Sequence, residues 1–253
     1  MTAGTTLARL LADRAAMLRP LRDGPRTPTE LATRSDVSRS TVDRVVRAFV
    51  DHGALERRDG AVALTLRGRL ALDAHDTHVA TLERVLACDA FVDFDPNVPL
   101  SFSLVRTADV VTAADDPLRI STDLVSLVER ATHVEMYTSV LLPDVVDAVA
   151  DRVTDGDLTL TVYVDDDVVS SLLRDYDDVV ERVLPSEAVT LATVPDGHPF
   201  DVAVYTLADG ERVAAVVFGT GAPAALLLNS SQGALAWASE RLDAIADRAT
   251  PLT

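Results

Sequence analysis

The residues that could do chemistry in the first third of the chain are polar and basic, and they recur at helical spacing. Ser40, Arg44 and Arg47 lie at i, i+4 and i+7 on a predicted helix over Arg39–Val50. The opposite face is apolar and consists of Val42, Val45, Val46 and Phe49. Arg side chains donate to base edges or phosphates, and a capped helix N-terminus faces phosphate. The pattern predicts a helix for the major groove of DNA; the alternative is an ordinary solvated face.

A second set of polar residues follows predicted strands in the rest of the chain. Tyr137, Thr138 and Ser139 follow one strand, Asp165 follows another, and Asn229 with Ser230 precedes the final helix. Ligands in α/β domains gather at the carboxyl ends of strands. These residues therefore predict a small-molecule site. The alternative is that they only cap helices and satisfy loop backbone.

Catalytic and metal-binding patterns are weak. Asp165-Asp166-Asp167 could hold Mg²⁺, but an acidic run that opens a helix explains it better. His133 and His198 lack a metal-ligand spacing, Gly219-Thr220-Gly221 lacks the context of a dinucleotide fingerprint, and Ser230 lacks a nucleophile elbow. We expect no catalytic residues, no metal site and no cofactor. An unrecognised hydrolase fused to a DNA-binding module is the remaining enzymatic alternative.

Local signals predict the helices that position the basic residues. A helix with Leu7, Leu18 and Leu21 on its apolar face ends at Asp23-Gly24-Pro25. A second helix begins after Thr27 as N-cap, with Pro28 at its first position and Glu30 completing a capping box, and runs to about Arg34. After the turn Ser35-Asp36-Val37, Ser38 caps the third helix.

A basic hairpin is predicted directly after the third helix. Strands over Ala54–Arg58 and Ala61–Thr65 are joined by Asp59-Gly60, which places Arg57 and Arg58 beside the tip. Two helices, a recognition helix and a basic hairpin make a winged helix-turn-helix. The predicted DNA-contacting residues are Thr29, Ser38, Arg39, Ser40, Thr41, Arg44, Arg47, Arg57 and Arg58.

Three segments resemble a known family: Leu31–Arg44, Gly53–Arg57 and Leu64–Leu72. They are similar to archaeal winged-helix transcriptional regulators. The layout of the whole chain, with a strand-to-helix ending at Leu228–Ala238, resembles the FilR-type subset, the methanogen filamentation regulators that are abundant in haloarchaea. In that subset a connecting helix and a C-terminal α/β domain follow the wing. The resemblance implies a transcriptional regulator and implies no particular ligand.

Charge divides the chain into two parts. All 23 basic residues are Arg, 31 of the 40 acidic residues are Asp, and the net charge is −17. This composition is typical of a cytoplasm of very high salt, with high-GC codon usage as the alternative. Residues 1–75 carry a net charge of +4, whereas residues 76–253 carry −21. A locally positive segment in an acidic protein is typical of a nucleic-acid-binding module.

The chain beyond the hairpin predicts an α/β domain with a mixed sheet. A long helix over Arg67–Cys88 precedes a linker over Phe91–Leu100. The predicted strands are Asp109–Ala113, His133–Val140, Leu158–Val164, Ala188–Val194, Ala203–Leu207, Arg212–Phe218 and Ala224–Leu228. The predicted helices are Ser121–Ala131, Pro143–Val153, Val168–Val183 and Gln232–Arg248.

These patterns predict three regions and their partners. The fold class is an N-terminal winged helix-turn-helix (1–75), a connecting helix and linker (76–100), and a C-terminal α/β ligand-sensing or dimerisation domain (101–253). We expect double-stranded DNA as partner, a homodimer and a small-molecule effector; the acidic domain could instead dock other proteins without any ligand. The long helix could pair with its copy or pack on its own domain. With one cysteine, Cys88, and no apolar run of spanning length, we expect a cytoplasmic protein without membrane contact.

Overall fold

The computed structural model describes residues 2–87, 91, 98–195, 197–219 and 221–252. The chain forms two compact units, residues 1–82 and 83–253. Most of the predicted linker at Phe91–Leu100 lies outside the described residues, as do Cys88 and Thr220. Among the helices that the structure describes, none has the length and apolar character needed to cross a membrane.

The first unit contains the predicted helices and hairpin. Its elements are α1 (Ala3–Leu18), a 3₁₀ turn (Arg19–Asp23), α2 (Pro28–Ser35), α3 (Arg39–Asp51), β1 (Leu55–Arg58), β2 (Ala61–Leu64) and the start of α4 (Leu66–Ala87). The core of this unit is formed by Leu11, Leu18, Leu31, Val42, Phe49, Val62 and Leu72, which are almost fully buried. Arg26 and Val62 form two reciprocal backbone hydrogen bonds, each donating its N–H to the carbonyl oxygen of the other. The loop before α2 thereby adds a third segment to the small sheet.

The second unit is built on one eight-stranded mixed sheet. Its elements are α5 (Phe102–Val105), β3 (Asp109–Thr112), α6 (Arg119–Arg130), β4 (Ala131–Thr138), α7 (Pro143–Thr154), β5 (Thr159–Val164), α8 (Asp166–Asp175), α9 (Asp177–Val183), β6 (Val189–Thr193), β7 (Asp201–Leu207), β8 (Arg212–Phe218), β9 (Ala225–Asn229), α10 (Gln232–Ala246) and β10 (Thr250–Pro251). The strand order is β10-β6-β5-β4-β7-β8-β9-β3. Strands β4, β5 and β6 are parallel, and every other pairing is antiparallel. The predicted mixed α/β architecture is confirmed.

Each face of this sheet carries its own hydrophobic core. Helices α5 and α10 cover one face, where Tyr137, Phe200 and Trp237 pack together. Helices α6, α7 and α9 cover the other face, where Leu124, Val153 and Val183 pack on the central strands. Alternation along the strands sends successive side chains to opposite faces, so both faces are apolar.

The structure differs from the sequence prediction in the helix predicted over Val168–Val183. That segment forms two helices, α8 and α9, separated at Tyr176, whose backbone leaves the helical region (φ −138°, ψ 33°). The short elements α5 and β10 were not predicted, because four and two residues are too short for a periodic pattern.

Candidate nucleic-acid interface

Helix α3 has one buried face and one exposed polar face. Val42 and Phe49 are fully buried, whereas Ser40, Arg44 and Arg47 are exposed. The two faces follow the 3.6-residue period of the helix, so packing of the apolar side fixes which side chains reach solvent. The polar face is therefore presented by a rigid, well-packed helix.

The N-terminus of α3 is capped and rich in hydroxyl groups. Ser38 Oγ accepts from the backbone N–H of Thr41 at 3.2 Å and lies 2.9 Å from the hydroxyl groups of both Ser40 and Thr41. Ser38, Arg39 and Ser40 are exposed. The positive end of the helix dipole and these donors together suit an anionic partner such as phosphate.

Helix α2 is capped at its start and joined to α3 by a tight turn at its end. The capping box at the start of α2 is complete: Thr27 N–H donates to Glu30 Oε2 at 2.7 Å, and Glu30 N–H donates to Thr27 Oγ1 at 3.3 Å. The bond from the Thr27 backbone, followed by that from its hydroxyl, lowers the pKa of Glu30 below its ordinary value. Asp36 ends α2 in the left-handed conformation (φ 51°, ψ 44°). Thr29 is exposed in the first turn of α2.

The arginines of the predicted interface differ in their ion pairs. Arg39, Arg44, Arg47 and Arg57 are exposed, and none of them pairs with a carboxylate among the residues that the structure describes. Arg58 is the exception, because its Nη2 lies 2.9 Å from Glu56 Oε1. Four of these five cations are thus available to an external anion without breaking an existing ion pair.

The hairpin places Arg57 and Arg58 beside its tip. Asp59 and Gly60 both have positive φ (50° and 80°), which is the two-residue turn that matches the twist of antiparallel strands. Arg57 pairs with Val62 and Arg58 pairs with Ala61 across the hairpin. One face of the hairpin carries Leu55, Arg57 and Val62. Leu55 and Val62 are buried there and anchor the hairpin, whereas Arg57 on the same face is exposed.

In the second unit, the structure brings together four of the six residues predicted to bind a ligand. Tyr137, Thr138 and Ser139 lie at the end of β4, and Asp165 follows the end of the neighbouring parallel strand β5. The Tyr137 hydroxyl accepts from the backbone N–H of His198 at 2.8 Å. Burial raises the pKa of Tyr137, and the nearby carboxylates add to the rise, so the hydroxyl stays protonated.

Asn229 and Ser230 lie at the other end of the sheet. Strand β9 runs antiparallel to β4, because three antiparallel pairings separate the two strands. The Asn229 side chain is buried, donates to Leu104 O at 2.6 Å, and accepts from Ser231 N–H at 2.8 Å. Asn229 therefore links α5 to the start of α10. The six residues predicted to bind a ligand do not form one site.

Sequence reasoning missed Asp201, which holds the end of β4. Its Oδ1 accepts from Ser139 N–H at 2.9 Å and from Ser139 Oγ at 2.7 Å, while Thr138 Oγ1 donates to Oδ2 at 2.7 Å. Burial raises the pKa of Asp201, and these hydrogen bonds oppose the rise. The signal was a lone acidic residue at the head of the apolar strand Asp201–Leu207.

The other polar candidates have structural partners. Asp165 Oδ1 accepts from Val168 N–H at 2.9 Å and caps α8, and Asp166 and Asp167 lie in the first turn of that helix. His133 Nδ1 lies 2.8 Å from the Thr159 hydroxyl. Within the described parts of the chain, no three His, Cys, Asp or Glu side chains are grouped as a metal site would require.

Two family models match the chain. The HVO_A0261 N-terminal domain matches residues 3–87, and the middle domain of the methanogenesis regulatory protein FilR1 matches residues 117–248, which is more than half of the chain. No curated protein matches.

Several solved structures are similar at low identity. The archaeal chromatin protein TrmBL2 aligns with 98% of this chain and 100% of its own, at 11% identity and a TM-score of 0.42. Nuc, a phospholipase D family member from Salmonella typhimurium, aligns with 57% of this chain and 97% of its own, at 13% identity and a TM-score of 0.42. NucT from Helicobacter pylori aligns with 58% of this chain and 99% of its own, at 9% identity and a TM-score of 0.44.

Proposed function

The chain belongs to the FilR1 middle-domain family, and from this premise we propose that it is a transcriptional regulator that binds double-stranded DNA sequence-specifically. The observation that carries the proposal is the exposed face of α3. Ser40, Arg44 and Arg47 project from a helix whose opposite side is fully packed, and neither Arg is engaged with a described carboxylate. A helix of this kind suits the major groove.

The residues of the first unit then take separate roles in a winged helix-turn-helix. Arg44, Arg47 and Ser40 read base edges from α3, and Ser38, Arg39 and Thr41 at its N-terminus bind phosphate. Thr29, at the start of α2, contacts the backbone alongside. Arg57 and Arg58 in the hairpin lie on the flanking backbone or in the minor groove. Phosphate contacts of this kind supply affinity, and base contacts supply specificity.

We propose a homodimer that reads an inverted-repeat operator, because one short recognition helix contacts too few base pairs to be selective in a genome. Helix α4 provides the seam in this proposal. Leu66 and Leu70 lie one turn apart on α4 and are 73% and 60% exposed, which is unusual for leucines that serve only the core of one chain.

The second unit is proposed to sense a small molecule. Support comes from the cluster at the ends of β4 and β5 and from the imperfect packing of the sheet beside it. We further propose that the protein works in a cell of very high salt, since its net charge is −17 without a single Lys. The functional regions are then residues 1–75 for DNA, 76–100 as connection and 101–253 for sensing or dimerisation.

Selection of binding sites from a random duplex library tests the proposal. The full chain in molar KCl should enrich an inverted repeat, and a variant with both Arg44→Ala and Arg47→Ala should enrich no motif. A matched variant with Arg174→Ala and Arg182→Ala, two exposed arginines of the second unit, should enrich the same motif as the native chain. Failure of the native chain to enrich any motif would contradict sequence-specific binding.

A further inference from the structure

The second unit contains an apolar cavity between the sheet and the helices on one face. Its volume is about 150 Å³. The floor is formed by strands β4, β5, β6 and β7, and the walls are formed by α7, α8 and α9. Representative lining residues are Met136, Val162, Val145, Val149, Leu172 and Val179.

The cavity leaves central strands incompletely covered. Strands β4 and β5 occupy the middle of the sheet, yet Met136 and Val162 are only partly buried. The space is partly open to solvent, so apolar side chains in the middle of the sheet lack the cover that a close-packed core gives them. The two short helices α8 and α9, interrupted at Tyr176, pack here in place of one continuous helix.

The polar groups at the edge of the cavity are already paired with one another. Thr138 donates to Asp201, and Asp201 also accepts from the backbone N–H and the hydroxyl of Ser139. The remaining lining consists of aliphatic side chains together with Tyr137 and Tyr205. An anionic ligand would lose its hydration here and would lie near the Asp201 carboxylate without a described cation to pair with, which is costly, whereas an apolar ligand has no charge to desolvate.

We infer that this cavity binds an uncharged, apolar small molecule about the size of benzene. An apolar cavity of roughly this volume is large enough to accept benzene. The inference deepens the proposed sensing role, on which its biological meaning rests, by naming the class of ligand. The proposed ligand site then lies in the apolar cavity beneath α7 and α9 and not at the polar ends of the strands.

The test uses benzene as the probe and the full chain in 2 M KCl. A ligand that binds only the folded state raises the melting temperature, and at about ten times its Kd the rise is about 3–6 °C for a unit of this size. Benzoate, which carries the same ring with a negative charge, should cause no rise. Val179→Phe places a ring in the cavity and should abolish the response to benzene.

Val169→Phe is the matched control. Val169 is partly buried on α8 and packs beside Val168 but does not line the cavity, so this variant should keep the native response to benzene. If Val179→Phe does not fold, methyl NMR of the native chain replaces it. Ring-current shifts should then fall on Val145, Val149 and Val162 and spare Val216 and Leu227, which belong to the core on the other face of the sheet.

Equal responses in both variants, a response to benzoate equal to that to benzene, no response in the native chain, or methyl shifts spread over both faces would overturn the inference. DNA binding is measured separately, so a chain that binds benzene but enriches no DNA motif would contradict only the proposed function.

Discussion

A Cβ atom on Gly68 would lie 1.9 Å from the carbonyl oxygen of Ala54. The first turn of α4 therefore packs directly on the backbone that leads into the hairpin. Thr65 reinforces this contact, because its hydroxyl donates to the carbonyl oxygen of Gly53 at 2.7 Å and accepts from Gly68 N–H at 3.0 Å. Glycine at position 68 allows the helix to begin this close to the backbone of Ala54.

Gly68→Ala is expected to destabilise the first unit by about 1–3 kcal/mol, because the methyl group forces the two backbones apart. Gly4→Ala is the control: Gly4 lies in α1, and its added Cβ would meet nothing closer than 3.9 Å. That change should raise stability by up to about 1 kcal/mol through helix propensity. Urea unfolding followed by circular dichroism measures both. Equal changes in the free energy of unfolding for the two variants would show that the backbone at Ala54 can shift to accommodate the added methyl group at little cost.

Asp76 should make stability depend on pH. It accepts from Arg19 at 3.0 Å and from Arg22 at 2.9 Å. Burial pushes the pKa of Asp76 upward, but the bonds and charges of the two arginines outweigh it, and the pKa falls below its ordinary value. The ionised carboxylate therefore stabilises the fold above the unfolded pKa of about 4, and this contribution disappears as the pH falls through the folded pKa.

Asp76→Asn should accordingly cost about 0.5–1 kcal/mol at pH 7, since the three side chains are partly exposed to solvent. The difference from the native chain should shrink as the pH falls below about 4. Urea unfolding at 0.2 M KCl and several pH values measures it. Asp13→Asn serves as control, because Asp13 is exposed on α1 and pairs with no described cation. A cost that stays constant to pH 3 would exclude an ionic origin.

Sequence signals predicted best where a few adjacent residues determine the structure. The capping box of Thr27 and Glu30 formed as predicted, Ser38 caps α3, and Asp59-Gly60 makes the hairpin turn. In each case the hydrogen bond or dihedral angle involves residues within three positions of one another. Local chemistry is sufficient there, so the first unit follows from the sequence.

Sequence signals failed where contacts between distant segments of the chain determine the structure. The apolar spacing continues from Val168 to Val183 without Gly or Pro, so nothing local marks the break at Tyr176. Asn229 and Thr138 would share one end of the sheet only if β9 ran parallel to β4, but strand direction depends on three intervening pairings. The cavity is formed by helices from separate segments that pack on the sheet, and no spacing of residues in the sequence predicts it.

The proposed recognition helix predicts two kinds of mutational effect. Arg44→Ala or Arg47→Ala should each weaken operator binding by about 1–3 kcal/mol and relax sequence preference at one position. Arg58→Ala should weaken operator and scrambled duplexes similarly, because it removes a backbone contact. Fluorescence anisotropy on both duplexes measures the difference, with Arg174→Ala as the control. Negligible effects of both Arg44→Ala and Arg47→Ala would contradict the assignment of α3.

The proposed seam on α4 can be tested with two leucines of nearly equal exposure. Leu70 is 60% exposed on α4, and Leu173 is 62% exposed on α8. Leu70→Asp should convert the dimer to a monomer, because a carboxylate at the seam would be buried unpaired, whereas Leu173→Asp should leave the dimer intact. Light scattering in 2 M KCl gives the mass of each. A monomeric native chain, or a dimer unaffected by Leu70→Asp, would rule out this seam.

The opposite charges of the two parts of the chain predict an unusual dependence on salt. Phosphate contacts release counterions, so affinity for DNA should fall with a slope near −0.9 per neutralised phosphate. Residues 76–253 carry a charge of −21, and their repulsion from DNA is strongest where screening is weakest. Added salt therefore weakens the Arg contacts and the repulsion together, and the measured slope should be shallower than the contacts alone require.

A variant with four exposed acids of the second unit made neutral isolates the repulsive part: Asp147→Asn, Asp155→Asn, Glu181→Gln and Glu187→Gln. None of these residues forms an ion pair with a described cation, so the fold should be retained. The variant should bind the operator several-fold more tightly than the native chain at about 0.3 M KCl, where charges still act over several ångströms. The two affinities should converge near 3 M, which makes the slope of the variant steeper. Parallel slopes between these concentrations would mean that the acidic unit has no electrostatic effect on DNA binding.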